Sequence, residues 1–162
     1  MSATAIDPAT SGTGARPYSY RDDPAVPAFA DDHPILIFDG KCVLCSGFAR
    51  FILRTDRHRC FRLLAAQTPL GTALYRHYGL HPTDYETNIL IDAGRLWQKS
   101  ESSIRVFEIL GAPWSLVGIV RVLPLALRDR LYEIVARNRL RWFGERQTCF
   151  LPTPADADRF LG

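Results

Sequence analysis

Residues 34–45 read PILIFDGKCVLC. The apolar residues Ile35, Leu36, Ile37 and Phe38 run without interruption into Asp39 and Gly40, and two cysteines follow, separated by Val43 and Leu44. A short continuous apolar run closed by a turn dipeptide predicts a strand buried on both faces. Beyond it, Leu44, Phe48, Phe51, Ile52 and Thr55 recur at three- and four-residue spacing, while Arg50, Arg54 and Arg57 fall elsewhere, which is the period of a helix with one face turned inward. The cysteine pair therefore stands at a strand-to-helix turn. Free backbone N–H groups and the helix dipole stabilise an anion there, so Cys42 is expected to carry a lowered pKa, to face solvent and to act as a nucleophile. Lys41 adds a nearby positive charge. Cys45, one turn further along the same face, is placed to close a disulfide with Cys42 or to resolve a mixed one.

Other uses of the pair are weaker. A metal site needs two further ligands, and the remaining cysteines, Cys60 and Cys149, are isolated from each other and from any nearby histidine. No metal and no bound cofactor are expected. Two inert buried thiols are the remaining alternative. Asp39 supports two roles: a buried carboxylate accepting the proton of Cys45, or the turn residue whose oxygen caps the helix. Phosphatases that place a nucleophilic aspartate after an apolar strand need a second acid two residues on, where this chain has Lys41. The histidines, His33, His58, His77 and His81, show no spacing that couples them to a cysteine and are expected at the surface. Cys60 is expected to be a core thiol, and Cys149 to be buried, with a regulatory disulfide as its other use.

Outward from the pair, CFRLLAA (60–66) predicts a second strand. Thr68 and Pro69 supply an N-cap and first-turn proline for a helix to about Tyr78, stopped by Gly79. NILID and RLWQ flank Asp92, Ala93 and Gly94 and predict an antiparallel hairpin. Ser100 is expected to cap a third helix lined by Ile104, Phe107, Ile109 and Leu110. The first helix must join its two strands by a right-handed crossover.

Residues 1–33 lack an apolar period and are rich in Ala, Pro, Ser, Thr and Gly, so they are expected to form a flexible tail, with Tyr18, Tyr20 and Phe29 as candidate docking side chains. They have neither the basic start nor the apolar stretch of a signal peptide, which favours the cytoplasm. Residues 34–162 form the folded domain. At 162 residues and 47% hydrophobic, the chain supports one well-buried core.

The formal charge of +3 is small for a nucleic-acid partner. Arg128, Arg130, Arg137, Arg139, Arg141 and Arg146 are interleaved with Asp129, Glu133 and Glu145, so a solvated, ion-paired face is expected for most of them instead. In the same stretch Leu127, Leu131, Val135 and Trp142 predict the helix's apolar face. Residues 112–127, APWSLVGIVRVLPLAL, are apolar but too short to span a membrane and interrupted by Arg121 and Pro124. They are expected to form a helical hairpin over the sheet, with peripheral membrane or partner contact as the other reading.

Three stretches, FDGKCVLC, QKSESSIRVFEILG and ARNRLRWFGERQTC, together resemble the DCC family of predicted thiol-disulfide oxidoreductases, over about residues 34–152. The resemblance implies an α/β, thioredoxin-like three-layer domain with a mixed sheet of about four strands and an α-helical C-terminal extension. It implies catalytic roles for Asp39, Cys42 and Cys45, supported by Gly40, Lys41, Ser100, Asn138 and Arg139. A disulfide-containing protein or small-molecule thiol is the implied substrate, recharged by an external thiol reductant. Asn138 and Arg139 are expected to lock the last helix on the core and bring Trp142 and Phe143 near the active turn. The chain departs from thioredoxins in lacking a proline near Thr87, where the cis-proline would stand, and from the family's usual aromatic at Leu140. The alternative function is a non-catalytic binding or redox-sensing module on the same fold, acting through the region from Trp114 to Leu127.

Overall fold

The computed structural model describes residues 15–83, 85 and 88–162; residues 1–14 of the expected tail and the Thr87 position lie outside these. Four strands, β1 (Ile35–Phe38), β2 (Arg62–Ala65), β3 (Ile89–Asp92) and β4 (Arg95–Gln98), form one mixed sheet in the order β2-β1-β3-β4. β1 and β2 are parallel and joined through helix α1 (Val43–Thr55), whereas β3 runs antiparallel to both β1 and β4. The β3–β4 turn holds Ala93 and Gly94 at φ 49° and 73°, the left-handed pair that a two-residue hairpin requires.

Alternation along β1 builds two cores. Ile35 and Ile37 point to one face, where they meet Leu70, Leu74 and Tyr75 of helix α2 (Pro69–His77). Leu36 and Phe38 point to the other, against Cys45, Ala49 and Ile52 of α1 and Val106 of helix α3 (Lys99–Leu110). Helices thus cover both faces of a fully buried central strand, giving a thioredoxin-like, three-layer α/β domain. Thr68 caps α2 as expected, its hydroxyl accepting the Gly71 N–H at 3.1 Å. Ser100 does not cap α3: the helix begins at Lys99, and the Ser100 hydroxyl instead donates to Asp129 at 2.5 Å.

Residues 15–33 are not a free tail. Tyr20 is buried in the first core with Tyr18 and Phe29 packed beside it, and the Tyr20 and Phe29 rings lie 5.2 Å apart. His77, sandwiched between the Ser19 hydroxyl at 2.8 Å and Asp23 at 2.7 Å, ties this segment to α2 rather than standing free at the surface. The three rings named as candidate docking side chains, and not a periodic pattern, supply the buried area.

The C-terminal third departs most from expectation. Residues 112–127 do not form a helical hairpin over the sheet. Trp114–Val122 is a 3-10 segment lying along α3, with Trp114 edge-on to Phe51 at 4.9 Å, and it leads through Pro124 into helix α4 (Leu125–Phe143). Nor does α4 bury its apolar stripe: Leu127, Leu131, Val135 and Trp142 are exposed, and Arg128, Ala136 and Arg139 are buried. Polar ties hold the helix, with Arg128 on Glu101, Ser100 on Asp129 and Lys99 on Glu133. Arg128 is therefore an interior ion-pair partner rather than a member of a solvated face, and Arg139 turns to the core as expected. Past α4 the chain crosses back over the sheet; Phe150 and Phe160 pack on Phe38, and the Leu161 N–H bonds Leu63 O at 2.9 Å along the otherwise open edge of β2.

Candidate active site

β1 ends at Phe38 and the chain turns within three residues into α1. Asp39 makes that turn: its Oδ1 accepts the Lys41 N–H at 2.9 Å, the short side-chain-to-backbone bond that aspartate forms two residues on. It does not cap the helix. The N-cap is Cys42, in extended geometry, whose sulfur accepts the Cys45 N–H at 3.3 Å. Gln67, just past the carboxyl end of the parallel neighbour β2, donates from Nε2 to Asp39 at 2.6 Å and accepts the Gly40 N–H at 3.0 Å. Arg139 reaches from α4 to the other oxygen of Asp39 at 3.3 Å, and both members of this ion pair are buried.

The two sulfurs are electrostatically unlike. Cys42 has its pKa drawn down from an ordinary 9.0 to about 6, chiefly because the Cys45 side chain donates a hydrogen bond to it; burial opposes this, and the Cys45 N–H and the Arg139 charge assist. Cys45 is pushed up by the same shared hydrogen bond, by burial and by the Cys42 charge. Of the two, Cys42 therefore gives up its proton first. Both cysteines are free thiols in this structure. The cation that favours the thiolate is Arg139; Lys41, expected to do so, is exposed.

Access differs from the expectation as well. Cys42 is 0% exposed. Residues 144–146 lie over it as a strap: Val43 N–H bonds Gly144 O at 3.3 Å, Arg146 N–H bonds Lys41 O at 2.7 Å, and Glu145 bridges Cys42 across an isolated antiparallel pairing. Cys45, 5% exposed, is the sulfur that borders a cleft of about 280 Å³ walled by Leu44, Phe48, Phe107, Tyr132 and Val135, with Arg139 beside it. Asn88 also lines this cleft, and its backbone N–H donates to the Tyr132 hydroxyl at 3.2 Å.

Of the residues singled out in the sequence, Asp39, Gly40, Lys41, Cys42, Cys45 and Arg139 converge on this turn. Ser100 and Asn138 do not: Ser100 joins α3 to α4, and the Asn138 amide donates back to Ile134 O at 2.8 Å within its own helix. Trp142 and Phe143 are exposed, and the backbone just beyond them takes the place at the turn expected for their side chains. Gln67, Glu145 and Tyr132 were missed. Gln67 alone carried a sequence signal, since it follows the strand predicted to pair with β1, and functional side chains gather at the carboxyl ends of parallel strands. Cys149 is also closer than expected, because a Cβ on Gly40 would fall on its sulfur. Burial raises its pKa, and that of Cys60, which sits at the head of β2. Among the described residues no three His, Cys, Asp or Glu side chains converge as a metal centre needs.

The family model described as DCC1-like thiol-disulfide oxidoreductase matches residues 36–145. An uncharacterized Bacillus subtilis (strain 168) protein, YuxK, is 37% identical over 128 residues, covering 78% of this chain and 93% of its own. The Arabidopsis thaliana DCC family protein At1g52590, chloroplastic, is 36% identical over 122 residues, 75% of this chain and 71% of that one. No solved structure matches.

Proposed function

Because the chain belongs to the DCC1-like thiol-disulfide oxidoreductase family, we propose that it exchanges disulfides through Cys42 and Cys45, with Cys42 as nucleophile and Cys45 as resolving thiol. The observation that carries this reading is the place of the pair: Cys42 caps the start of α1, its sulfur accepts the Cys45 N–H at 3.3 Å, and Cys45 lies one turn along the same helix.

The strap at residues 144–146 lifts, and the Cys42 thiolate attacks one sulfur of a substrate disulfide. A Cys42–substrate bond forms, the substrate's S–S bond breaks, and the departing thiolate takes a proton from solvent. Consuming the Cys42 charge removes the largest influence that held the Cys45 pKa up, and Cys45 gives its proton to solvent. Its thiolate attacks the Cys42 sulfur, forms the Cys42–Cys45 disulfide and releases the second substrate thiol. Two electrons pass to the substrate, and an external thiol reductant restores the pair. Asp39 serves as a positioning residue, since its oxygens are engaged by Lys41 N–H, Gln67 and Arg139; it shapes the turn and holds the Arg139 cation near the thiolate. A reducing compartment such as the cytoplasm suits a pair that works from the dithiol state. No helix of the described residues is long and apolar enough to cross a membrane.

The test is turnover of a disulfide substrate by wild type, Cys42→Ser and Cys45→Ser. Both variants lose turnover, and Cys45→Ser accumulates a mixed disulfide located at Cys42 by mass spectrometry. Trapping at Cys45 in Cys42→Ser with none at Cys42 in Cys45→Ser reverses the assignment. Negligible turnover by the wild type supports the binding or sensing module instead.

A further inference from the structure

Helix α4 presents three distinct sides. Arg128, Ala136 and Arg139 face the body of the protein. Leu127, Leu131, Ile134, Val135 and Trp142 share a second side at helical spacing and are between 40% and 54% exposed. Arg130, Arg137 and Arg141 recur at seven and four residues and form a row directly beside that stripe. None of these three arginines has an ion-pair partner within 4.0 Å among the described residues. The nearest partners of the helix's acids lie on α3, Ser100 for Asp129 and Lys99 for Glu133, with the Arg137 charge acting on Glu133 at longer range. Immediately before α4, the 3-10 segment leaves Leu116, Ile119 and Val122 at 73%, 75% and 84% exposed. So much exposed apolar surface calls for a cover, and the arginine row beside it selects an anionic one. A second copy packed antiparallel on the stripe would set arginine row against arginine row. An anionic lipid surface meets both features at once: the acyl boundary receives the stripe and the headgroups receive the row.

We propose that the exposed apolar face of residues 114–143 docks on an anionic lipid surface, with α4 lying in the plane of the interface. Val135 belongs both to this stripe and to the wall of the cleft beside Cys45, so docking brings that cleft to the lipid boundary. The inference stands apart from the exchange chemistry and survives its failure.

Sedimentation of the full chain with vesicles tests it directly. Wild type pellets with mixed phosphatidylglycerol and phosphatidylcholine vesicles and stays in solution with phosphatidylcholine alone. Replacing the row (Arg130→Gln, Arg137→Gln and Arg141→Gln together) weakens partitioning about 100-fold, from a factor of about five per arginine, and added salt weakens the wild type likewise. Leu131→Asp with Ile134→Asp also abolishes binding; circular dichroism verifies folding, and the arginine variant decides the matter should the aspartates unfold the helix. Failure to bind the anionic vesicles, or equal binding to both compositions, overturns the proposal. So does a light-scattering mass twice 18.3 kDa that Leu131→Asp returns to the single-chain value, which would assign the face to a second copy.

Discussion

Replacing Cys45 by alanine and by serine separates the two causes that lower the Cys42 pKa. The largest is the hydrogen bond from the Cys45 side chain; the Cys45 N–H and the Arg139 charge act in the same direction, against burial. Alanine removes the side-chain donor and keeps the N–H, whereas serine keeps a donor at the same place. A hydrogen bond to a charged group is worth about 1.5–3 kcal/mol, so the titration midpoint rises by about one to two pH units in Cys45→Ala and stays low in Cys45→Ser. At pH 7 a thiol titrating at about 6 is roughly nine-tenths ionised, against about one-hundredth at 9.0. Thiolate nucleophilicity, however, falls about 15- to 30-fold over the same interval. The net effect on an exchange rate is then only a few-fold, too small to decide the matter. Thiolate ultraviolet absorbance against pH is the better assay, because it reads ionisation directly and does not require a reagent to pass the strap. A reduced wild type with no transition below pH 8, or alanine and serine variants with equal midpoints, would refute the reasoning.

The Arg139–Asp39 pair predicts a sign reversal: Arg139→Gln raises the Cys42 midpoint and Asp39→Asn lowers it, because the cation favours the thiolate and the carboxylate opposes it. Each variant also loses about 3 kcal/mol in denaturant unfolding, since each leaves a buried charge without its partner. Stability of the reduced protein depends on pH through Cys42. The folded pKa lies below the unfolded one, so this contribution is complete above the unfolded pKa of about 8.5 and is lost as pH falls through about 6. Reduced wild type therefore loses stability relative to reduced Cys42→Ser between pH 8 and 5, and a constant difference contradicts the thiolate. Gly40→Ala drives a methyl onto the Cys149 sulfur and costs about 1–3 kcal/mol. Adding Cys149→Ala restores most of it, a coupling that thermal unfolding of the double-mutant cycle reads out.

The elements nearest the opening motif were the most legible, because local rules suffice there. Four continuous apolar residues made β1, one turn dipeptide ended it, Thr68 and Pro69 opened α2, and a two-residue glycine turn set the hairpin. The cysteine pair and its place at a helix start followed from the same stretch. What stayed hidden depends on contacts distant in sequence. Arg139 reaches Asp39 from 100 residues away; the family resemblance singled the arginine out, but no spacing rule names the carboxylate it meets. The burial of Cys42 comes from backbone bonds of residues 144–146, to which side-chain identity contributes little. The apolar stripe of α4 misled in the other direction: periodicity reports that a helix has two faces, but polar partners on α3 determine which face turns inward.

The central claim, that Cys42 and Cys45 open and close a bond between them, is tested most directly by equilibrating the purified chain in glutathione buffers of graded potential. Quenching with an alkylating reagent in denaturant and mapping by mass spectrometry locates every disulfide. The account predicts one reversible two-electron transition, with Cys42 joined to Cys45 on the oxidised side and Cys60 and Cys149 alkylated throughout. A pair that stays reduced across the series, or oxidation that joins Cys42 to Cys149 instead, would contradict it.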